Sequence, residues 1–348
     1  MKGFIKVINY KELSFALAWI ILFVVFCTTM ISNINTKQEP AREASVTEID
    51  INSFINAEIE LTLKSTEKGL RLKYTALPNG TEYEIYRKVD GEKGFTIIET
   101  TQKTKFTDNT VITGKIYIYK VRAVLKQKEG VITTAFSNKV KRKYVWFDKN
   151  KKMVALTFDD GPGRYTDSIL KCFDKYDAHA TFFVVGSEIK KYKSTVKKAD
   201  LIGCEIGSHT FDHCDLTSLS KNEIKNQIKK TDKCLKAIIG HKATLIRPPY
   251  GFVNSYVKQV VKKPIVTWNV DTRDWETLSS SKTYKNVMKS VEDGDIILMH
   301  DIHKSTKNAV LKIIPKLKKK GYQIVTVSEL AEYKGTKLKN GNVYTEIN

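Results

Sequence analysis

From Met153 to about Val327 the chain alternates short apolar, β-branched runs with longer stretches of helical periodicity. The apolar runs are Met153–Phe158, Thr181–Val185, Glu205–Ser208, Ala243–Ile246, Ile265–Val270, Asp295–His300 and Gln323–Val327. Helical segments between them include Lys221–Ile239 and Lys307–Lys319. Strands joined by helical crossovers pair in parallel and are covered on both faces, which is why each reads as continuously apolar. The alternation predicts an α/β domain with helices outside a parallel sheet, closed or nearly closed into a barrel. In such barrels the chemistry gathers at the C-terminal strand ends. Asp159, His209, Arg247, Asp271 and His300 each fall at or just after one of those ends.

The residues at these ends are chemically specific. Met153–Phe158 runs into two adjacent carboxylates, Asp159 and Asp160, before Gly161-Pro162 breaks the chain. Neighbouring acids repel, and a cation beside them relieves the repulsion; Asp-Gly is also ordinary turn chemistry. His209-Thr-Phe-Asp-His213 places two imidazoles four residues apart, a spacing that puts both on one side of a helical turn. With one carboxylate the set suits a divalent metal that keeps open positions for water. Arg247-Pro248-Pro249-Tyr250-Gly251 forms a stiff loop that can hold the Arg fork against a carboxylate and aim a backbone N–H inward. Asp271-Thr-Arg273-Asp274-Trp275 sets acids beside an aromatic, and Leu298-Met299-His300-Asp301 ends a strand in an imidazole. Each stretch alone has a structural reading: a turn, a surface ion pair, a packed Trp or a core His. Five of them in order do not.

The first half is built differently. Lys2, Lys6 and Lys11 precede Leu13–Ile31, an uncharged apolar run long enough to cross a bilayer. A cleaved signal peptide is the rival reading, but its apolar region is shorter and no small-x-small site follows. The basic N-terminal side predicts a cytoplasmic tail (1–12), a single-pass anchor (13–31) and the remainder outside the membrane. Residues 32–52 read as a polar linker. From 53 to 144 the pattern becomes short period-two runs, Leu70-x-Leu72-x-Tyr74, Tyr83-x-Ile85 and Tyr117-x-Tyr119-x-Val121-x-Ala123. Turn signals at Pro78-Asn79-Gly80, Asp90-Gly91 and Thr113-Gly114 separate them, which predicts an all-β sandwich. The order of these runs resembles a fibronectin type III module, a spacer or a weak binding module. Tyr144-Val-Trp146-Phe147 is an apolar patch where the two domains would meet.

The formal net charge of +21 favours anionic surroundings, but the lysines are scattered rather than gathered into one tract, so no nucleic-acid partner is expected. Five cysteines occur without Cys-x-x-Cys spacing, which argues against a zinc knuckle and for mostly free thiols.

Taken together, Thr-Phe-Asp-Asp-Gly-Pro, His-Thr-x-x-His, Arg-Pro-Pro-Tyr-Gly, Asp-Thr-Arg-Asp-Trp and Leu-Met-His resemble, in that order, the motifs of polysaccharide deacetylases of the NodB-homology class, carbohydrate esterase family 4. The resemblance covers about 152–333. It implies a distorted (β/α) barrel over 145–335, followed by a C-terminal tail (336–348), and a divalent metal, usually zinc. It further implies Asp160, His209 and His213 as metal ligands, Asp159 as general base held by Arg247, and His300 as general acid held by Asp274. Tyr250 would supply a backbone N–H to the oxyanion, and Trp275 and Leu298 would line the acetyl pocket. The expected substrate is a cell-wall glycan, with N-acetylglucosamine units of peptidoglycan first, and poly-N-acetylglucosamine, chitin oligomers or O-acetylated xylan as alternatives. A non-catalytic carbohydrate-binding protein and a non-haem iron oxygenase, which also uses two His and one carboxylate, are the readings of other classes.

Overall fold

The computed structural model describes residues 50–78 and 81–348. The expected anchor Leu13–Ile31 lies outside the described residues, and among those described no helix is long and apolar enough to cross a membrane.

Among the described residues of the first half there are eight strands: β1 (Leu61–Thr66), β2 (Gly69–Tyr74), β3 (Glu82–Val89), β4 (Thr96–Thr101), β5 (Lys105–Asp108), β6 (Ile116–Gln127), β7 (Gly130–Thr133) and β8 (Val140–Lys143). They make two antiparallel sheets, β1-β2-β5 and β4-β3-β6-β7, with β8 also on β6. The period-two residues singled out in the sequence, Leu70, Leu72, Tyr74, Tyr83, Ile85, Tyr117, Tyr119, Val121 and Ala123, are all buried. Burial on alternate positions is what a sheet with one covered face requires. The Tyr74 and Tyr83 rings meet across the two sheets at 4.8 Å. Asp108 is buried between them and accepts bonds from Arg87 and the Tyr119 hydroxyl, each at 2.7 Å. Gly69, at φ +126°, lies so close to the Asp108 carbonyl that an added Cβ would sit 2.0 Å from it. A side chain there would prise β2 from β5.

The second half contains β9 (Met153–Asp159), β10 (Thr181–Val184), β11 (Glu205–Ser208), β12 (Ile265–Val266), β13 (Val270–Asp271), β14 (Ile296–His300), β15 (Gln323–Val325) and β16 (Val343–Tyr344). All pair in parallel, in the order β11-β10-β9-β14-β13, with β15 beside the start of β9 and β16 on β12. Every residue of β9 is buried, as expected of the central stave. Single bridges Ser208↔Ile246 and Ile246↔Ile265 carry the ring from β11 to β12. The chain then runs on into β13, beside β14, so the barrel closes.

The barrel is distorted where the sequence suggested regular strands. Ala243–Ile246 reduces to the single bridging residue Ile246, because Pro248 and Pro249 have no N–H to extend a ladder. Ile265–Val270 splits into β12 and β13. The carbonyls of Val266 and Thr267 turn instead to the Arg247 guanidinium, at 3.2 and 2.7 Å. Gln323–Val327 ends at Val325, since Thr326 caps the helix Val327–Tyr333 in a reciprocal capping box with Glu329. Residues 336–348 are not a tail: β16 pairs with β12, and Ile347 is buried against the core that contains Val145, Phe147 and Val325.

The connection between the two halves is also built into that core. Tyr144, Val145 and Phe147 are buried while Trp146 faces outward, and Gly114 N–H donates to the Tyr144 carbonyl at 2.8 Å. Lys143 bridges Asp174 and Asp177 at 2.9 and 2.7 Å, and Arg142 pairs with Asp200. Cys172, Cys204, Cys214 and Cys234 are all free.

Candidate active site

At the end of β9 the two adjacent acids are sent in different directions. Asp160 adopts φ +69°, a left-handed conformation that Asp tolerates better than most residues. Asp159 stays in the strand, 3% exposed, and accepts a 2.8 Å bond from Arg247 Nη1. Arg247 is itself fully buried. Its fork also donates to Thr157 Oγ1 at 2.8 Å and to the Val266 and Thr267 carbonyls, and its guanidinium lies 4.2 Å from the Phe183 ring centre. A fork saturated with acceptors fixes the Asp159 carboxylate in place.

The imidazoles converge on Asp160, though not by the helical turn their spacing suggested. His209 to His213 is an irregular loop after β11, with Thr210 at φ +66° and His213 at φ +56°. Two residues of the helix Lys221–Ile239 hold that loop. Gln227 Oε1 accepts the N–H groups of Phe211 and Asp212 at 2.8 and 3.0 Å, and the Thr231 hydroxyl donates to the Thr210 carbonyl at 2.9 Å. His209 Nδ1–H donates to the Arg247 carbonyl at 2.6 Å, which turns Nε2 toward Asp160. That Nε2 lies 3.5 Å from Asp160 Oδ1, and His213 Nε2 lies 3.1 Å from the same oxygen.

Ligand atoms of Asp160, His209 and His213 can thus be chosen within 4.8 Å of one another. Asp160 Oδ1 is buried and has no partner in hydrogen-bonding geometry. Burial would raise the Asp160 pKa, but the two imidazoles hold it far below the usual carboxylate range. One buried carboxylate oxygen facing two imidazole nitrogens is a donor set that fits a divalent cation.

Opposite them, β14 brings in His300. Its Nδ1–H donates to Asp274 Oδ1 at 2.9 Å and its backbone N–H to Oδ2 at 2.8 Å. Asp274, fully buried, is further held by the Thr306 hydroxyl at 2.5 Å. Burial alone would lower the His300 pKa, but the bond to Asp274 and the charges of Asp274, Asp159 and Asp160 raise it to about 9. The bond to Asp274 thus favours the protonated form of His300.

The remaining expected residues are placed as follows. Tyr250 is exposed at φ +62°, its ring 5.0 Å from that of His213. Leu298 is buried two residues before His300, on the same face of β14, while Trp275 is half exposed on the short helix Asp274–Thr277.

Several supporting residues carried no sequence signal. Gln227, Thr231 and Thr306 are ordinary in composition, and only the fold aims them; Thr157 stood in the quoted motif, but without a role. Asp301 was visible as the residue after His300, but its position was not. It is fully buried, accepts a bond from the Thr166 hydroxyl through Oδ2, and leaves Oδ1 without a partner. Burial pushes its pKa up to about 7. A Cβ on Gly161 would lie 2.3 Å from both Asp301 carboxylate oxygens, so this carboxyl is wedged directly beneath the Asp160 loop.

The polysaccharide deacetylase family model matches residues 148–267. A peptidoglycan-N-acetylglucosamine deacetylase of Bacillus cereus is 37% identical over 194 residues, which make up 53% of this chain and 91% of that one. This chain belongs to the polysaccharide deacetylase family. The peptidoglycan-N-acetylmuramic acid deacetylase PdaC of Bacillus subtilis is 42% identical over 188 residues. That match covers 54% of this chain but only 40% of PdaC, so the chain spans less than half the length of this relative. Among solved structures, a family 4 acetyl xylan esterase from Clostridium thermocellum, in complex with a cobalt ion, superposes with a TM-score of 0.54 at 31% identity. It covers 56% of this chain and 99% of that one, and fixes the C-terminal half as the deacetylase barrel.

Proposed function

We propose that this polysaccharide deacetylase hydrolyses the N-acetyl group of N-acetylglucosamine units in peptidoglycan, releasing acetate and leaving a free amine. The observation that carries this is the pair of tethered groups flanking the Asp160–His209–His213 cluster: Asp159 held by Arg247, and His300 held by Asp274. Asp160, His209 and His213 would hold a divalent cation, zinc by preference for this donor set. When bound, the cation polarises the amide carbonyl and acidifies water.

The chain's own residues do the rest. Asp159 accepts a proton from the attacking water, and Arg247 orients the carboxylate for it. The Tyr250 backbone N–H donates to the oxyanion that forms as the carbonyl becomes tetrahedral; one such donor is worth ~3 kcal/mol. The imidazolium of His300 delivers a proton to the nitrogen as the C–N bond breaks, which lets the amine leave neutral. Leu298 and Trp275 fit the acetyl methyl as apolar walls.

Around this core we place a single-pass anchor at Leu13–Ile31 with the barrel outside the membrane, and a fibronectin type III-like spacer over 53–144. The test is acetate release from purified peptidoglycan, with mass spectrometry of the resulting muropeptides. Loss of acetyl groups from glucosamine residues supports the proposal; an unchanged profile overturns it. A second reading, action on the N-acetylmuramic unit, is raised by PdaC, which is 42% identical, as is the N-acetylglucosamine deacetylase PgdA of Listeria monocytogenes. The same spectra separate the two by which sugar loses its acetyl group.

A further inference from the structure

The outer wall of the barrel carries a groove of about 600 Å³ between the helices Lys221–Ile239 and Ser255–Val260, lined by seven lysines and a single acid. That acid, Asp232, is already engaged, with Lys263 Nζ at 3.0 Å. Lys236 pairs with Glu60 at 3.0 Å. Lys225, Lys229, Lys233, Lys242 and Lys262 are exposed and meet no carboxylate among the described residues. Some lysines elsewhere on the barrel are matched, Lys171 and Lys198 with Asp167, Lys143 with Asp174 and Asp177, and Lys334 with Asp293, while the exposed Lys312, Lys316 and Lys319 form a row equally unmatched among the described residues that lies outside the groove.

Lys225, Lys229 and Lys233 stand on successive turns of one helix face, about 6 Å apart along its axis. Like charges at this spacing weaken a helix, so folding gains nothing from the row. An extended polyanion does gain, because its successive charges meet successive ammonium groups and its counterions are released. The rest of the lining narrows the choice. Its apolar residues are Ile228 and Val260, and no aromatic side chain is present on which bases could stack. The surface is concave, whereas a bilayer face is flat. We propose that this groove binds a linear polyol-phosphate chain, a phosphodiester polymer without bases, and so holds the enzyme against an anionic envelope.

The test uses the full chain and a labelled glycerol-phosphate oligomer, titrated at several salt concentrations. Two variants remove the same charge: Lys225→Gln/Lys229→Gln/Lys233→Gln in the groove, and Lys312→Gln/Lys316→Gln/Lys319→Gln on the exposed side of another helix. The groove variant should bind about tenfold more weakly, with its log–log salt slope reduced by about 2, while the control keeps the parent's affinity. Both should fold and deacetylate a short N-acetylglucosamine oligomer as the parent does. Equal weakening in the two variants would overturn the proposal, as would unchanged binding by the groove variant. Tighter binding of a single-stranded oligonucleotide or of anionic lipid vesicles at matched charge would overturn it too. The binding readout does not depend on deacetylation, so failure of one proposal is distinguishable from failure of the other.

Discussion

Asp159 on β9 and His300 on β14 are register partners on adjacent parallel strands, and each is tethered from behind by a charge of opposite sign, Arg247 and Asp274. One strand pairing therefore places a carboxylate and an imidazole on the same side of the barrel, beside the three groups that would hold a cation. The division of labour between them can be tested residue by residue.

Asp159→Asn keeps the shape and the Arg247 contact but removes the basic oxygen. Metal content should remain at the parent's level, since Asp160, His209 and His213 are untouched. Acetate release should fall by about 10²–10⁴-fold. Turnover at the parent's rate in a metal-loaded variant would remove Asp159 from the role of base.

The pH dependence follows from His300. In its proposed role of general acid it works when protonated, so the rate should fall as pH rises through its pKa, about 9 without a cation. A divalent cation beside Asp160 opposes the proton, so the holoenzyme's basic limb should lie somewhat lower. Asp274→Asn removes the main support and should move that limb down further, toward the ordinary His value. The stability effect has the same sign. A folded pKa above the unfolded 6.5 contributes stability that is full below pH 6.5 and lost as pH rises through about 9. A basic limb that stays put in Asp274→Asn would contradict the pairing.

Gly161 and Asp301 should be coupled. Gly161→Ala drives a methyl group into the Asp301 carboxyl, costing ~1–3 kcal/mol in stability as overpacking does, and weakening metal affinity by displacing the Asp160 loop. Asp301→Ala in the same chain should recover part of both losses. Denaturant melts and metal titrations of the two single variants and the double variant give the coupling; strictly additive effects would show that the two residues act independently.

Removing the metal should abolish acetate release and lower the melting temperature, both reversibly. A site filled at a thousandfold its dissociation constant stabilises the fold by ~4 kcal/mol. Activity that survives exhaustive chelation, with the metal content shown to be nil, would exclude the cation from the reaction.

Much of this was legible in the sequence because burial leaves a mark in composition. β9 is buried at every position and reads as unbroken apolar residues, and Lys221–Ile239 carries its own stop and start signals, a Ser220–Glu223 capping box and Gly240. The acids and imidazoles stood out because such residues are unusual at strand ends. Local geometry was less visible. His209 and His213 come together through a loop rather than a helical turn, since that loop is imposed by Gln227 and Thr231 from a helix that begins well downstream. The broken strand at Ile265–Asp271 depends on Arg247 drawing off two carbonyls, and the capture of 336–348 depends on β12 having a free edge. No window on the sequence contains those long-range demands.

On the proposed reading, Asp160, His209 and His213 hold one cation while Asp159 stays free. The most direct measurement is an anomalous-difference map of the zinc-loaded protein. The expected result is a single strong peak about 2.0–2.2 Å from an Asp160 oxygen, His209 Nε2 and His213 Nε2, with Asp159 still bonded to Arg247 and outside the coordination shell. A peak elsewhere, or one in which Asp159 replaces any of the three ligands, would contradict it.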